Sequence, residues 1–86
     1  MSERVTNNID QSRFELKIGP DTAVADYHME GTTLYIDYVE SPLPLRGTGA
    51  AGRLMEGILS ITADKGYSVV PVCGYAAAWM RRHRAL

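Results

Sequence analysis

The chain has 86 residues, nearly half of them apolar, and a formal net charge of −1. That length suits one domain with a single modest core, and the composition excludes a disordered or fibrous chain. The charge balance gives no general pull toward nucleic acid or an anionic membrane, and no apolar run approaches the ~20 residues of a membrane span, so neither is an expected partner.

Residues 1–11, MSERVTNNIDQ, are polar and lack the apolar stretch of a signal peptide; they are expected to be partly flexible. One domain is expected from residue 12 to residue 86. Arg13–Ile18 alternates cleanly, with Phe14, Leu16 and Ile18 on one face, which predicts a half-buried strand. Gly19-Pro20-Asp21 is a turn. Thr22–Glu30 reads as a second strand, with Ala23, Ala25, Tyr27 and Met29 on one side and His28 exposed on the other. Glu30-Gly31-Thr32 leads tightly into a third strand, Thr33–Val39, rich in β-branched and aromatic residues. Connections this short predict an antiparallel meander.

Ser41-Pro42-Leu43-Pro44 breaks the strand and stiffens the approach to a glycine loop. From about Gly49 to Lys65 the period becomes helical, with Ala51, Leu54, Met55, Ile58, Leu59 and Thr62 on one stripe and Gly66 as the terminating glycine. Tyr67–Cys73, YSVVPVC, has the near-continuous apolar character of a strand buried on both faces. Pro71 qualifies that reading. A proline has no N–H to give a ladder, so the strand either lies at an edge or splays away from the third strand. Gly74 opens a second helix, Tyr75 to about Arg84. The order β-β-β-α-β-α predicts an α/β (α+β) fold: an antiparallel meander, then a parallel βαβ crossover, with helices packed on a mixed sheet.

The loop RGTGAAG, residues 46–52, satisfies two patterns. GTGAAG matches the dinucleotide fingerprint G-x-G-x-x-G, and RGTGAA matches R-x-x-G-x-A. The dinucleotide reading requires a strand directly before the loop and an acidic residue ~20 positions later. A Pro-Leu-Pro segment precedes the loop, and no Asp or Glu follows Asp64. The second reading requires a meander, a phosphate-wrapping loop and an amphipathic helix, which is the order here. A helix start has unpaired N–H groups and a partial positive charge. Gly47 and Gly49 permit close approach, Ala50 and Ala51 leave room, and Arg46 adds charge. A glycine-rich helix start with no ligand is the alternative.

In LRGTGAAGRLMEGIL (Leu45–Leu59) and VVPVCGYAAAWMRRH (Val69–His83), the chain resembles the GNAT-type N-acetyltransferases, in particular their short stand-alone members. The resemblance runs from about Phe14 to His83. It implies an acetyl-CoA site in which two strands part into a V that admits the pantetheine arm. Carried over by position, Arg46, Gly47, Thr48, Gly49, Ala50 and Ala51 would grip the pyrophosphate. Backbone groups near Val39 and Glu40 would bond the pantetheine or polarise the thioester carbonyl. It also implies acetyl transfer to a primary amine of a small molecule or a protein; the alternative is a CoA-binding or protein-interaction module with little or no turnover. Larger members carry helices between their first strands and further strands at the end; here short turns join the first strands.

Such chemistry needs a base for the amine, a polarised carbonyl and an acid for the departing thiolate. Glu40, at the end of the third strand, is the candidate base, or else a solvated loop carboxylate. Tyr75, in the first turn of the last helix, is the candidate acid, or else a packing residue. Cys73 lies just before that helix, where a thiolate is favoured, and could carry the acetyl group as a covalent intermediate. It could equally be a small buried apolar residue. Arg81, Arg82, His83 and Arg84 could meet a phosphate or simply complement a helix C-terminus. Two histidines and one cysteine, widely separated, make no zinc site. A lone cysteine forms no internal disulfide; the expectation is a cytoplasmic protein, monomeric or weakly dimeric.

Overall fold

The computed structural model describes residues 4–83. Five strands, β1 (Val5–Asn8), β2 (Arg13–Ile18), β3 (Asp21–Glu30), β4 (Thr33–Glu40) and β5 (Ser68–Pro71), form one sheet in sequence order. Helix α1 (Ala50–Lys65) links β4 to β5, and α2 (Gly74–Arg82) follows. The first four strands are antiparallel, and β4 pairs with β5 in parallel. The α/β architecture expected from the sequence is therefore present, with one strand added at its start. Arg84, counted above in the basic run, lies outside the described residues.

Both helices share one face of the sheet. Phe14, Leu16, Ala23, Ala25, Tyr27, Leu34 and Ile36 meet Leu54, Met55 and Ile58 of α1 and Ala76, Trp79 and Met80 of α2 in one buried cluster. Along α1 the buried positions are Ala50, Leu54, Met55, Ile58 and Thr62, nearly the stripe that the helical period predicts. Gly66, in the left-handed region at φ 73°, ends the helix by donating its N–H to Ala63. The other sheet face is open, and Tyr38, Val70 and Val72 are exposed there.

Two elements depart from the sequence reading. The polar opening segment holds a strand, β1. Its residues VTNN have weak strand propensity, and tertiary contacts supply what propensity does not. Tyr27 donates its hydroxyl to Asn7 Oδ1 at 2.8 Å, and Asn8 Nδ2 donates to Glu15 at 3.2 Å. Val5 packs over Gly57 of α1, where an added Cβ would stand 2.3 Å from Val5 Cγ2. The mid-helix glycine is the hole that admits β1. The second departure is β5, which is shorter than Tyr67–Cys73 and is not buried on both faces. Val70 and Val72 are 38% and 59% exposed because no layer covers the outer face.

Pro71 is explained by the ladder. Ser68 donates its N–H to Thr32, just before β4, and Val72 donates to Ile36 within it. By alternation the Pro71 nitrogen points away from β4, to the free edge, where no N–H is needed.

Substituting Gly57→Ala tests the β1 seat. At an open helix site the change would stabilise by roughly 0.5–1 kcal/mol. Here overpacking against Val5 is expected to destabilise by about 1–3 kcal/mol instead, measured by urea unfolding.

Candidate functional site

The site starts where β4 and β5 separate. Their register runs Thr33↔Ser68 to Ile36↔Pro71 and stops. The Ile36 carbonyl accepts both the Val72 N–H at 3.0 Å and the Cys73 N–H at 3.1 Å. This doubled bond turns the chain out of the sheet and into α2. From Asp37 to Glu40, β4 continues with β3 on one side and no strand on the other. The register also slips here. Asp26 faces Tyr38 and Tyr27 faces Ile36, so Asp37 is an extra residue on β4, a β-bulge. The bulge shifts the side-chain phase: Leu34 and Ile36 point into the core, and so does Val39, opposite the buried Ala25.

The chain then makes a short 3-10 turn, Leu43–Leu45, with Leu45 buried as its anchor. The loop that follows is held from within. Thr48 donates its N–H to the Leu45 carbonyl at 3.2 Å, and its hydroxyl donates to the same oxygen while accepting the Ala50 N–H at 3.3 Å. Gly47 and Gly49 lie at φ 81° and 85°, a region that L side chains rarely occupy. Gly49 caps α1, and no side chain caps the helix there. The N–H groups of Gly47, Gly49 and Ala51 have no acceptor among the described residues. The amide of Thr48, expected above to face a ligand, is instead spent on the loop. Arg46 donates Nε to the Ser41 carbonyl at 3.0 Å, which fixes its guanidinium across the loop mouth. Arg53, one helical turn on, donates Nη1 to the Thr48 carbonyl at 3.1 Å.

Between the open side of β4, this loop and α2 lies a cleft of about 400 Å³. It brings together Val39, Glu40, Arg46, Gly47, Gly49, Ala50, Ala51 and Tyr75 of the residues singled out from the sequence. Thr48 and Cys73 are not in its lining. Cys73 caps α2 with extended backbone, is half-buried, and packs against the core. Tyr75 is 37% exposed. Burial pushes its phenol above the ordinary value; Arg82 opposes the shift and Cys73 adds to it, so the hydroxyl keeps its proton through the neutral range. Arg81, Arg82 and His83 are exposed at the end of α2, and the His83 ring stacks on Trp79 at 3.9 Å.

Sequence reasoning missed four lining residues: Tyr38, Ser41, Leu45 and Gly52. Gly52 had a signal, as the third glycine of the G-x-G-x-x-G pattern. Its role is packing, because a Cβ there would lie 3.3 Å from Trp79 Nε1. Tyr38 had none, since its placement depends on the bulge. Ser41 Oγ is buried with no hydrogen-bond partner among the described residues.

This cleft, with its parted strands and its glycine loop at a helix start, gives the likeness seen in the sequence a physical form. A family model described as GCN5-related N-acetyl-transferase matches residues 13–86. The chain belongs to the GCN5-related N-acetyltransferase family. None of the curated proteins matches it. Among the described residues, no group of three or more His, Cys, Asp or Glu could hold a metal ion. Among the described residues, no helix is long and apolar enough to cross a membrane.

Two substitutions check the geometry. Gly49→Ala forces a side chain into the left-handed region and is expected to destabilise by ~1–2 kcal/mol in urea unfolding. Its Cβ would meet Arg53 Nη1 at an ordinary 3.5 Å, so backbone strain is the cause. Ser41→Ala removes an unsatisfied buried hydroxyl and is expected to raise stability, by about 1 kcal/mol.

Proposed function

We propose that the chain transfers the acetyl group of acetyl-CoA to a primary amine. The observation that carries this reading is the parting of β4 and β5 beside a loop whose unpaired amides and arginine suit a diphosphate. Family membership supports acetyl transfer in general. The cleft supports the rest. It is lined by one carboxylate, that of Glu40, and by two tyrosines, Tyr38 and Tyr75.

The residues take these roles. The N–H groups of Gly47, Gly49 and Ala51 and the guanidinium of Arg46 bind the pyrophosphate, where the helix dipole adds favourable charge. Ala50 keeps the floor small, and Thr48 holds the loop in shape. The Ile36 carbonyl faces β5, and past the extra residue the Val39 main chain is the next to face that side. Val39 thus offers an N–H to the thioester oxygen, the pre-aimed donor that acyl transfer needs. Glu40 takes the proton of the attacking amine. The nitrogen bonds to the carbonyl carbon, the carbon–sulfur bond breaks, and Tyr75 gives its proton to the departing sulfur. Solvent restores both groups.

Direct attack is favoured over a cysteine-linked route because Glu40 and Tyr75 line the cleft and Cys73 does not. The proximity of Cys73 to Tyr75 at the start of α2 keeps the covalent route as the second reading.

Thermal melting tests the binding half. Acetyl-CoA at 100 times its dissociation constant adds ~2.7 kcal/mol. Each kcal/mol raises the midpoint of a domain this size by roughly 4–8 °C. No shift at millimolar acetyl-CoA would sink the proposal. The chemical half is tested by Tyr75→Phe, expected to lower kcat about 100-fold or more with KM little changed. Cys73→Ala is expected to retain most activity. An acetyl adduct on the intact wild-type protein, absent from Cys73→Ala, would establish the covalent route instead.

A further inference from the structure

The open face of the sheet carries a cluster that the cleft chemistry does not use. His28 on β3 reaches across to Asp37 on β4, with Nδ1 at 2.8 Å from Oδ2 and 3.0 Å from Oδ1. Its ring stacks on Tyr35, with centroids 4.7 Å apart and planes 3° from parallel. Its other nitrogen, Nε2, lies 3.7 Å from Glu30. Further along β3, Asp26 is engaged by Arg13 of β2 at 3.2 Å. The face carries no covering layer, so these groups make up the charged surroundings of His28.

Asp37 is the bulged residue, the one on β4 with no ladder partner. The three residues after it, Tyr38, Val39 and Glu40, all line the cleft. Beyond Ile36 this part of β4 has a neighbouring strand on one side alone. A side-chain hold on the extra residue therefore has leverage that it would lack in a strand paired on both sides.

We propose that His28 is a positioning residue: by gripping Asp37 it fixes the bulge, and so the placing of Val39 and Glu40, and the grip loosens when His28 loses its proton. The proposal rests on the coenzyme reading of the cleft only for its effect on affinity.

The direction of the pH effect follows from the neighbours. The hydrogen bond to Asp37 raises the His28 pKa above its ordinary 6.5; partial desolvation opposes this, and the charges of Asp37 and Glu30 add to it. A raised histidine contributes fully below the unfolded value, and its contribution is lost as pH rises through the folded one. The grip is thus strongest in mild acid. The pair is solvent-exposed, so the effect is a modest change in affinity and not unfolding.

Two measurements on the full chain test this. In an NMR titration the Tyr38 and Val39 amides are expected to shift with the same midpoint as the His28 ring, and to stay flat in His28→Asn. A His28 ring that titrates while those amides remain still would overturn the proposal. In calorimetry with CoA, wild type is expected to bind about three-fold tighter than His28→Asn near pH 6 and about equally near pH 9. The ligand's own phosphate titration is common to both proteins and cancels in the ratio. Asp37→Asn is expected to give the same pattern from the opposite partner. A ratio that does not change with pH overturns the proposal. If wild type binds no CoA while the amides still titrate with His28, the coenzyme reading falls and the tether stands.

Discussion

One carbonyl governs this fold. The oxygen of Ile36 takes two N–H groups, from Val72 and Cys73, where a regular parallel ladder would supply one. That doubled acceptance is how β5 leaves the sheet. The next residue along, Gly74, begins α2, so the departing chain cannot rejoin β4. Four residues of β4 are left with an unpaired side, and the cleft occupies the space. In lining terms the site is a consequence of interrupted pairing. A buried backbone group without a partner is costly, so an interruption of this kind persists only where something else can satisfy the edge.

The second half of the site is built on economy of side chains. The loop has glycine where φ is positive and alanine where the helix begins, and its shape is kept by a threonine hydroxyl that donates to the Leu45 carbonyl and accepts the Ala50 N–H. Two arginines, Arg46 and Arg53, brace the loop through carbonyl oxygens. The loop is therefore shaped before any anion arrives. Pre-set donors lose little freedom on binding, which is the condition under which backbone amides are effective. The anchor for this arrangement is apolar: Leu45, buried just before the loop, ties its entry to the core.

Much of this was readable in the sequence where a local rule applied. Alternation in Arg13–Ile18 gave a strand with matching bounds, and the helical stripe from Leu54 to Thr62 gave the buried face of α1. The glycine spacing located the loop, and Pro71 pointed to an edge strand or a splayed one. What could not be read depended on partners distant in the chain. Asn7 and Asn8 belong to a strand only because Tyr27 and Glu15 hold them. The bulge at Asp37 needs β3 for its definition; the sequence shows it only as an Ile36-to-Val39 spacing of three where alternation calls for two. Cys73, before a helix, suited a reactive thiol and a small packing residue equally; its N–H is the second of the two that Ile36 accepts, and its side chain packs against the core, outside the cleft lining. The basic run at the end of α2 stayed ambiguous because either reading uses the same exposed residues.

Pro71 has a further consequence at the outer rim. In β5 the main-chain groups of Val69 and Pro71 face away from the sheet, and only Val69 has a hydrogen to donate. A four-residue rim with a single donor is a poor template for an incoming strand from another molecule. The valine-rich segment SVVPV would on composition alone invite fibre-like stacking, and the Pro71 ring nitrogen, with no hydrogen to donate, works against it.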